Sequence, residues 1–174
     1  MRLSQGFPSA VATIGLGALG TGVWLQHFGY AGVLYLPCPL CILQRIILLL
    51  ITGLALLQIF WVRLALLLSV GMAFLSLSGI LVAAHQISLL GKATMECGID
   101  PIERWLDQWL INEQTAWFFK PQAVCAEGAT PFLSLAIPHW SILVFCALLA
   151  LAFPYSRLFL LRRAATPALD KAPT

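Results

Sequence analysis

The stretch LPCPLCILQRIILLL, residues 36–50, places Cys38 and Cys41 at the start of a long aliphatic run. Pro39 follows the first cysteine, and proline is favoured at the first position of a helix because its missing N–H would have no partner there. Arg45 follows one helical turn after Cys41. The stretch therefore predicts a C-x-x-C motif at the start of an apolar helix, with an arginine on the face of its second cysteine.

The composition around this stretch predicts an integral membrane protein of one domain. The 174 residues are 60% hydrophobic and only 10% charged, more apolar than the core of a soluble domain of this size can hide. The net charge of +3 is small and forms no basic stripe, which argues against a nucleic-acid partner. The sequence also has no cluster of metal-ligand motifs, so we expect no metal site.

A membrane-spanning helix needs roughly 20 mostly apolar residues. The run 42–84 would be about 65 Å long at ~1.5 Å per residue, so it must turn back, near Trp61 and Arg63. The predicted fold is all-α, a bundle of four transmembrane helices in a single domain, residues 1–161, with a cytoplasmic tail at 162–174 that we expect to be disordered. The helices are expected at about 8–25, 42–60, 64–85 and 140–161, and the loops at 26–41 and 91–138.

The positions of Lys and Arg predict the orientation, because positively charged ends stay cytoplasmic. Both termini are expected inside, in the bacterial inner membrane, and both loops outside. The second loop holds six of the seven acidic residues. Within it, Asp100, Pro101 and Glu103 predict a helix start, and a stripe of apolar residues at helical spacing follows. We expect this short helix to lie flat on the bilayer, with packing on top of the bundle as the alternative.

The chain has five cysteines, and this topology puts four of them on the outer, oxidising side. A thiolate at Cys41 would be stabilised by the free N–H groups of a helix start, which favours redox chemistry for the Cys38–Cys41 motif. Half of a zinc site and a structural clip are the alternatives. A bond between Cys97 and Cys125 could either staple the loop or exchange with a partner's thiolate. Cys146, inside the last helix, is expected to act as a small apolar residue.

These features together resemble the disulfide bond formation protein B (DsbB) family. The matching stretches are PCPLCILQR at 37–45, AAHQI at 83–87, Met-Glu-Cys at 95–97 and CAEGATPFLSLAIPHW at 125–140. The related vitamin K epoxide reductase-like family places its C-x-x-C motif late in the bundle, after the loop pair. Here the motif comes early, an order that favours the DsbB family.

The resemblance implies an enzyme, a quinone-dependent thiol oxidoreductase that reoxidises a periplasmic DsbA-like thiol oxidase. It implies that Cys97 and Cys125 form the disulfide that the partner attacks, and that Cys38 and Cys41 then reoxidise that pair. Cys41 would face the quinone, ubiquinone or menaquinone, and Arg45 and His85 would contact its oxygens. An arginine inside an apolar span is costly enough to suggest such a role. The alternative is a non-enzymatic membrane scaffold or transporter subunit whose loop disulfides are structural.

Overall fold

The computed structural model describes residues 3–90, 115–119 and 131–152, and within them the chain is mostly helical. The long helices α1, α2 and α3 follow one another, with a 3-10 turn before the third. A one-turn helix, α4, precedes a small hairpin of strands β1 and β2, which leads directly into α5. Their bounds are α1 Leu3–Phe28, α2 Pro39–Phe60, the 3-10 turn Val62–Leu64, α3 Ala65–Leu89, α4 Ala116–Phe119, β1 Pro131–Phe132, β2 Leu135–Ala136 and α5 Ile137–Ala152.

Three of these helices are long and apolar enough to cross a membrane, namely the segments Gly6–Phe28, Pro39–Phe60 and Ala65–Leu89. The helix α5 is apolar and shorter over its described part. The prediction of a helical, multi-pass membrane protein is therefore confirmed. The expected interfacial helix after Asp100, and the expected end of the last helix near residue 161, lie outside the described residues.

The reversal between the second and third helices is confirmed near the predicted place. Helix α2 ends at Phe60, and the N–H of Trp61 still donates to the carbonyl of Leu57. The 3-10 turn then leads into α3. Two of the described helices extend beyond the predicted ranges: α1 continues to Phe28 and α3 continues to Leu89. Polar residues at a helix end do not stop a helix, so composition alone placed those ends too early.

The core lies where the four longer helices meet. Val11 from α1, Ile51 from α2, Met72 from α3 and Phe145 from α5 are almost fully buried and belong to one cluster. The ring of Phe145 lies against Gly79 of α3, where even a methyl group would overlap it. This close approach fixes α5 against α3, and small residues are the usual means of such packing in membranes.

Two of the glycines of α1 lie close to α2. Gly15 lies against Thr52 of α2, and a Cβ atom there would overlap the Thr52 side chain. Gly22 lies close to the guanidinium of Arg45. Gly17 and Gly20 face open space, so helix packing does not require them.

The first loop and the hairpin are joined to each other on one end of the bundle. Gly29 ends α1 with a positive φ of 68°, and its N–H donates to the carbonyl of Leu25. The hydroxyl of Tyr35 donates to the carbonyl of Pro131 at 2.9 Å. The ring of Phe132 packs edge-on against Tyr35 and also against Trp140, with centroids 6.0 and 6.3 Å away. These aromatic rings form a cover over the space between α1, α2 and α5.

Replacing Phe145 with alanine tests the core packing. Phe145→Ala should lower the free energy of unfolding by about 3 kcal/mol, because a buried ring is removed and the space it leaves is only partly refilled. Leu143→Ala is the matched control, since Leu143 lies on the same helix and is 54% exposed. Unfolding of both variants would be followed by circular dichroism in detergent. Equal losses in the two variants would contradict the packing described.

Candidate functional site

The two cysteines of the C-x-x-C motif lie at the start of α2, as predicted. Cys38 is the N-cap residue, Pro39 occupies the first position of the helix, and the Cys38 sulfur accepts a hydrogen bond from the Cys41 N–H at 3.4 Å. The Cys38 thiol also donates to the Cys41 sulfur at 3.1 Å. The two sulfurs therefore lie side by side, close enough to form a disulfide with little movement.

The two sulfurs differ in their surroundings. Cys38 is fully buried, whereas Cys41 is partly accessible. The hydrogen bond to Cys41, followed by burial, raises the pKa of the Cys38 thiol far above its usual range. Cys38 thus keeps its proton and acts as the donor of the pair, which leaves Cys41 as the sulfur that can carry negative charge.

Two buried glutamines lie beside the sulfurs of Cys38 and Cys41. Nε2 of Gln86, on α3, donates to both the Cys38 and the Cys41 sulfurs at 3.3 Å. Nε2 of Gln44, on α2, donates in turn to Oε1 of Gln86 at 2.8 Å. Gln86 is 0% exposed and Gln44 is 4% exposed. Each sulfur therefore faces an N–H donor that is held in place by a second buried amide.

Arg45 is buried one turn below Cys41 and binds to two other parts of the chain. Its guanidinium donates to Oε1 of Gln26 at 2.6 Å and to the carbonyl of Gly22 at 3.1 Å, both on α1. It also donates to the carbonyl of Phe118 in α4 at 3.0 Å and lies 5.5 Å from the centre of that ring. Gln26 donates to the carbonyl of Trp117 as well. The charge is thus compensated by oxygens from α1 and α4, as a buried guanidinium requires.

A cavity of about 250 Å³ opens beside Cys41 and Arg45. Apolar and aromatic side chains make up most of its wall, and Cys41, Gln44 and Arg45 are its polar groups from α2. The wall comes from α1, the first loop, α2, the hairpin and α5. Cys38 does not line this cavity. Its other lining residues are Ala18, Thr21, Gly22, Leu25, Tyr35, Leu36, Pro37, Leu48, Phe132, Ile137, Trp140, Ser141 and Val144.

The structure brings together three of the residues predicted from the sequence, Cys38, Cys41 and Arg45. His85 lies on α3 one residue before Gln86, but its side chain is exposed and does not line the cavity. Cys97 and Cys125 lie outside the described residues. Cys146 is a free cysteine on the exposed surface of α5. Among the described residues, no three His, Cys, Asp or Glu side chains form a group that could hold a metal ion.

Three glutamines of the site, Gln26, Gln44 and Gln86, were not predicted from the sequence. Gln44 lies inside an apolar run, and Gln26 and Gln86 lie at the ends of two others, where an amide needs a partner because the bilayer core offers no hydrogen bonds. That cost was a signal available from the sequence, although it could not show which partners the amides would find.

These features define a class of protein, a helical membrane protein with a paired thiol at the edge of an apolar cavity. The chain matches the family model described as "Disulfide bond formation protein DsbB" over residues 5–154. The disulfide bond formation protein B of Ralstonia nicotianae is 36% identical over 149 residues, which cover 85% of this chain and 90% of that relative. The protein of the same name from Dechloromonas aromatica is 37% identical over 149 residues, covering 81% and 87%. The chain belongs to the DsbB family and is a membrane disulfide oxidoreductase.

Arg45→Lys tests the hydrogen bonds of the guanidinium. An ammonium cannot reach oxygens on both α1 and α4 from one nitrogen position, so the variant should lose about 1–3 kcal/mol of unfolding free energy. Arg63→Lys is the control, because Arg63 is exposed in the 3-10 turn. Its unfolding free energy should change by less than about 0.5 kcal/mol. Chemical unfolding in detergent gives both values, and an unchanged Arg45→Lys protein would show that the contacts contribute little.

Proposed function

We propose that this protein reoxidises a soluble thiol oxidase of the DsbA type outside the membrane and passes the two electrons to a membrane quinone. The observation that carries the proposal is the position of Cys41. It is the sulfur of the pair that both borders the cavity and lies one turn from the buried Arg45. A thiol that bordered neither a cavity nor a cation would have no route to a second substrate.

The cavity suits the ring of a quinone. Its volume of about 250 Å³ is slightly below the ~300–1,000 Å³ of sites that enclose small molecules. Its aromatic and aliphatic wall fits an apolar ring, and donors from Gln44 and Arg45 fit a carbonyl oxygen. A quinone bound there would accept the two electrons released when Cys38 and Cys41 close into a disulfide. Ubiquinone and menaquinone share the carbonyl groups that this arrangement recognises.

Arg45 and Cys41 have the clearest roles in this proposal. The guanidinium is fixed by its bonds to α1 and α4, so it offers positive charge at the cavity without having to reorganise. That charge stabilises negative charge on Cys41 and on an oxygen bound in the cavity. His85 is included as a proton donor from the family resemblance, and its exposed side chain would have to turn towards the cavity to act so.

The relay that we propose consists of thiol–disulfide exchanges. A thiolate of the reduced partner attacks the Cys97–Cys125 disulfide, most simply at Cys97, and a mixed disulfide forms while Cys125 leaves as a thiolate. Cys125 then attacks the Cys38–Cys41 disulfide at Cys38, and the electron pair of that bond goes to Cys41. Cys38 is fully buried, so this attack requires the side chains that cover it to move aside.

Two further exchanges complete the relay. The second thiolate of the partner attacks the mixed disulfide with Cys97, so the partner leaves as a disulfide and Cys97 is released as a thiolate. Cys97 attacks the Cys125–Cys38 bond at Cys125, which restores the Cys97–Cys125 disulfide and leaves Cys38 and Cys41 as the reduced pair.

The driving force of the relay lies in the final acceptor. A thiol oxidase of the DsbA type, with a potential of about −120 mV, is itself a strong oxidant, so only a stronger oxidant can restore its disulfide. A quinone confined to the bilayer is such an oxidant, and the start of α2 is a place where aqueous thiols and a lipid-soluble ring can both reach one cysteine pair.

The topology that we propose is a single domain, residues 1–161, with four transmembrane helices in the bacterial inner membrane. Both termini are cytoplasmic and both loops are periplasmic, and a short helix in the second loop lies on the bilayer. The apolar α1, α2, α3 and α5 support this arrangement, as does the position of Arg63 at the turn between α2 and α3. The tail at 162–174 follows on the cytoplasmic side.

Serine substitutions in the C-x-x-C motif test the proposed reaction. Cys38→Ser and Cys41→Ser should each abolish quinone reduction, measured by quinone absorbance when purified protein, reduced thiol oxidase and quinone are mixed without oxygen. Cys146→Ser is the control and should retain the parent rate, because Cys146 is exposed on α5 away from the cavity. A parent protein that leaves the quinone oxidised would exclude the proposal and favour a structural role for the disulfides.

Filling the cavity tests where the quinone binds. Ala18→Phe places a ring in the cavity and should raise the KM for quinone at least about tenfold, an energy of ~1.4 kcal/mol. Thiol exchange with the reduced partner should stay unchanged. Gly17→Phe is the matched control, because the neighbouring position faces open space. If both variants keep the parent KM, the quinone binds elsewhere.

A further inference from the structure

We infer that Gln86 is a catalytic residue of the thiol pair, and that Gln44 is the positioning residue that keeps the Gln86 amide turned towards the sulfurs. The inference rests on the proposed function, because it assumes that Cys38 and Cys41 form and break a disulfide. It assigns to two glutamines a role in setting how strongly that disulfide oxidises. The C-x-x-C motif alone does not predict this role for the glutamines.

The geometry of Gln86 supports the inference directly. One amide nitrogen lies 3.3 Å from both sulfurs, and a side-chain NH₂ group has two hydrogens to donate. When an attacking thiolate forms a bond to Cys38, the Cys38–Cys41 bond breaks and its electron pair becomes a thiolate on Cys41. Gln86 then donates to a charged acceptor, which makes a hydrogen bond about twice as strong as a neutral one.

Gln44 keeps the amide nitrogen of Gln86 turned towards the sulfurs. An amide can turn by half a rotation and present its oxygen instead of its nitrogen, and an oxygen next to a thiolate would repel it. The N–H of Gln44 at 2.8 Å from Oε1 of Gln86 disfavours that turn, because the flipped amide would face it with a second donor. Both side chains are buried, so water cannot replace either hydrogen bond.

The consequence for the reaction is a stronger oxidant. A donor that stabilises the Cys41 thiolate stabilises the reduced pair relative to the disulfide, and this raises the reduction potential. Arg45 is the charged side chain near Cys41, and it also stabilises the thiolate. Cys38 is the other titratable group in contact with Cys41. Gln86 differs from Arg45 because it touches the sulfurs themselves and does not border the cavity.

A purely structural role is the alternative, since buried glutamines also join helices in membranes. The chain offers a matched control for that role. Gln58 is buried on α2, the helix that carries Gln44. It donates to Ser69 of α3 at 3.4 Å, so it also joins α2 to α3. It lies 17 residues after Cys41, about 25 Å along the helix, too far to act on the sulfurs.

The experiment measures the potential of the Cys38–Cys41 pair without any quinone. The full chain, with serine at the other three cysteines, is equilibrated in glutathione buffers in detergent, and the fraction of disulfide is read by alkylation and mass. Gln86→Met keeps the length of the side chain and removes both donors. It should shift the equilibrium about tenfold towards the disulfide, a potential ~30 mV more negative. Alkylation of Cys41 by iodoacetamide should slow by a similar factor. Gln44→Met should shift the equilibrium about threefold.

The controls separate the possible failures. Gln58→Met should leave the potential and the alkylation rate at the parent values. A Gln86→Met protein with the parent potential would overturn the inference, and so would a Gln58→Met protein shifted as far as Gln86→Met. If Gln86→Met does not fold, Gln44→Met becomes the deciding variant. A Gln44→Met protein with the parent potential would then overturn the inference. A parent pair that forms no disulfide at any glutathione ratio would instead refute the proposed function.

Discussion

The buried guanidinium of Arg45 is the constraint on which the arrangement of the site depends. A permanent positive charge inside an apolar bundle must be surrounded by acceptors, and here they come from α1 and α4. Satisfying the charge therefore fixes where α1 crosses α2 and where the short helix Ala116–Phe119 lies. The same contacts leave one side of the guanidinium on the cavity wall.

The apolar surroundings give the polar groups near the sulfurs their effect. In a medium of low dielectric constant, a single N–H or cation changes the energy of a thiolate more than it would in water. The start of α2 supplies one donor through its backbone, α3 supplies a second through Gln86, and Arg45 supplies charge. Groups from two helices, α2 and α3, thus act on the two sulfurs of the pair, which a short peptide with the same C-x-x-C motif could not reproduce.

Much of this arrangement could be predicted from the sequence, for identifiable reasons. Apolar runs predicted the helices because the bilayer sets their length, and Pro39 predicted where α2 begins. Gln86 could not be found in the same way, since its partners are 42, 45 and 48 residues away in sequence. Nothing in the sequence of α3 distinguishes His85 from Gln86, although a step of one residue turns a side chain by about 100°.

The residues on either side of 120–130 in the sequence are both held by hydrogen bonds. On one side the carbonyl of Phe118 is held by Arg45, and on the other the carbonyl of Pro131 is held by Tyr35. Cys125 is six residues from Pro131 along the chain, and such a tether spans at most about 20 Å. A thiolate on so short a tether reaches an effective concentration in the millimolar range at nearby groups. In the proposed relay, attack by Cys125 on the C-x-x-C pair would then compete with free thiols in the surrounding solution.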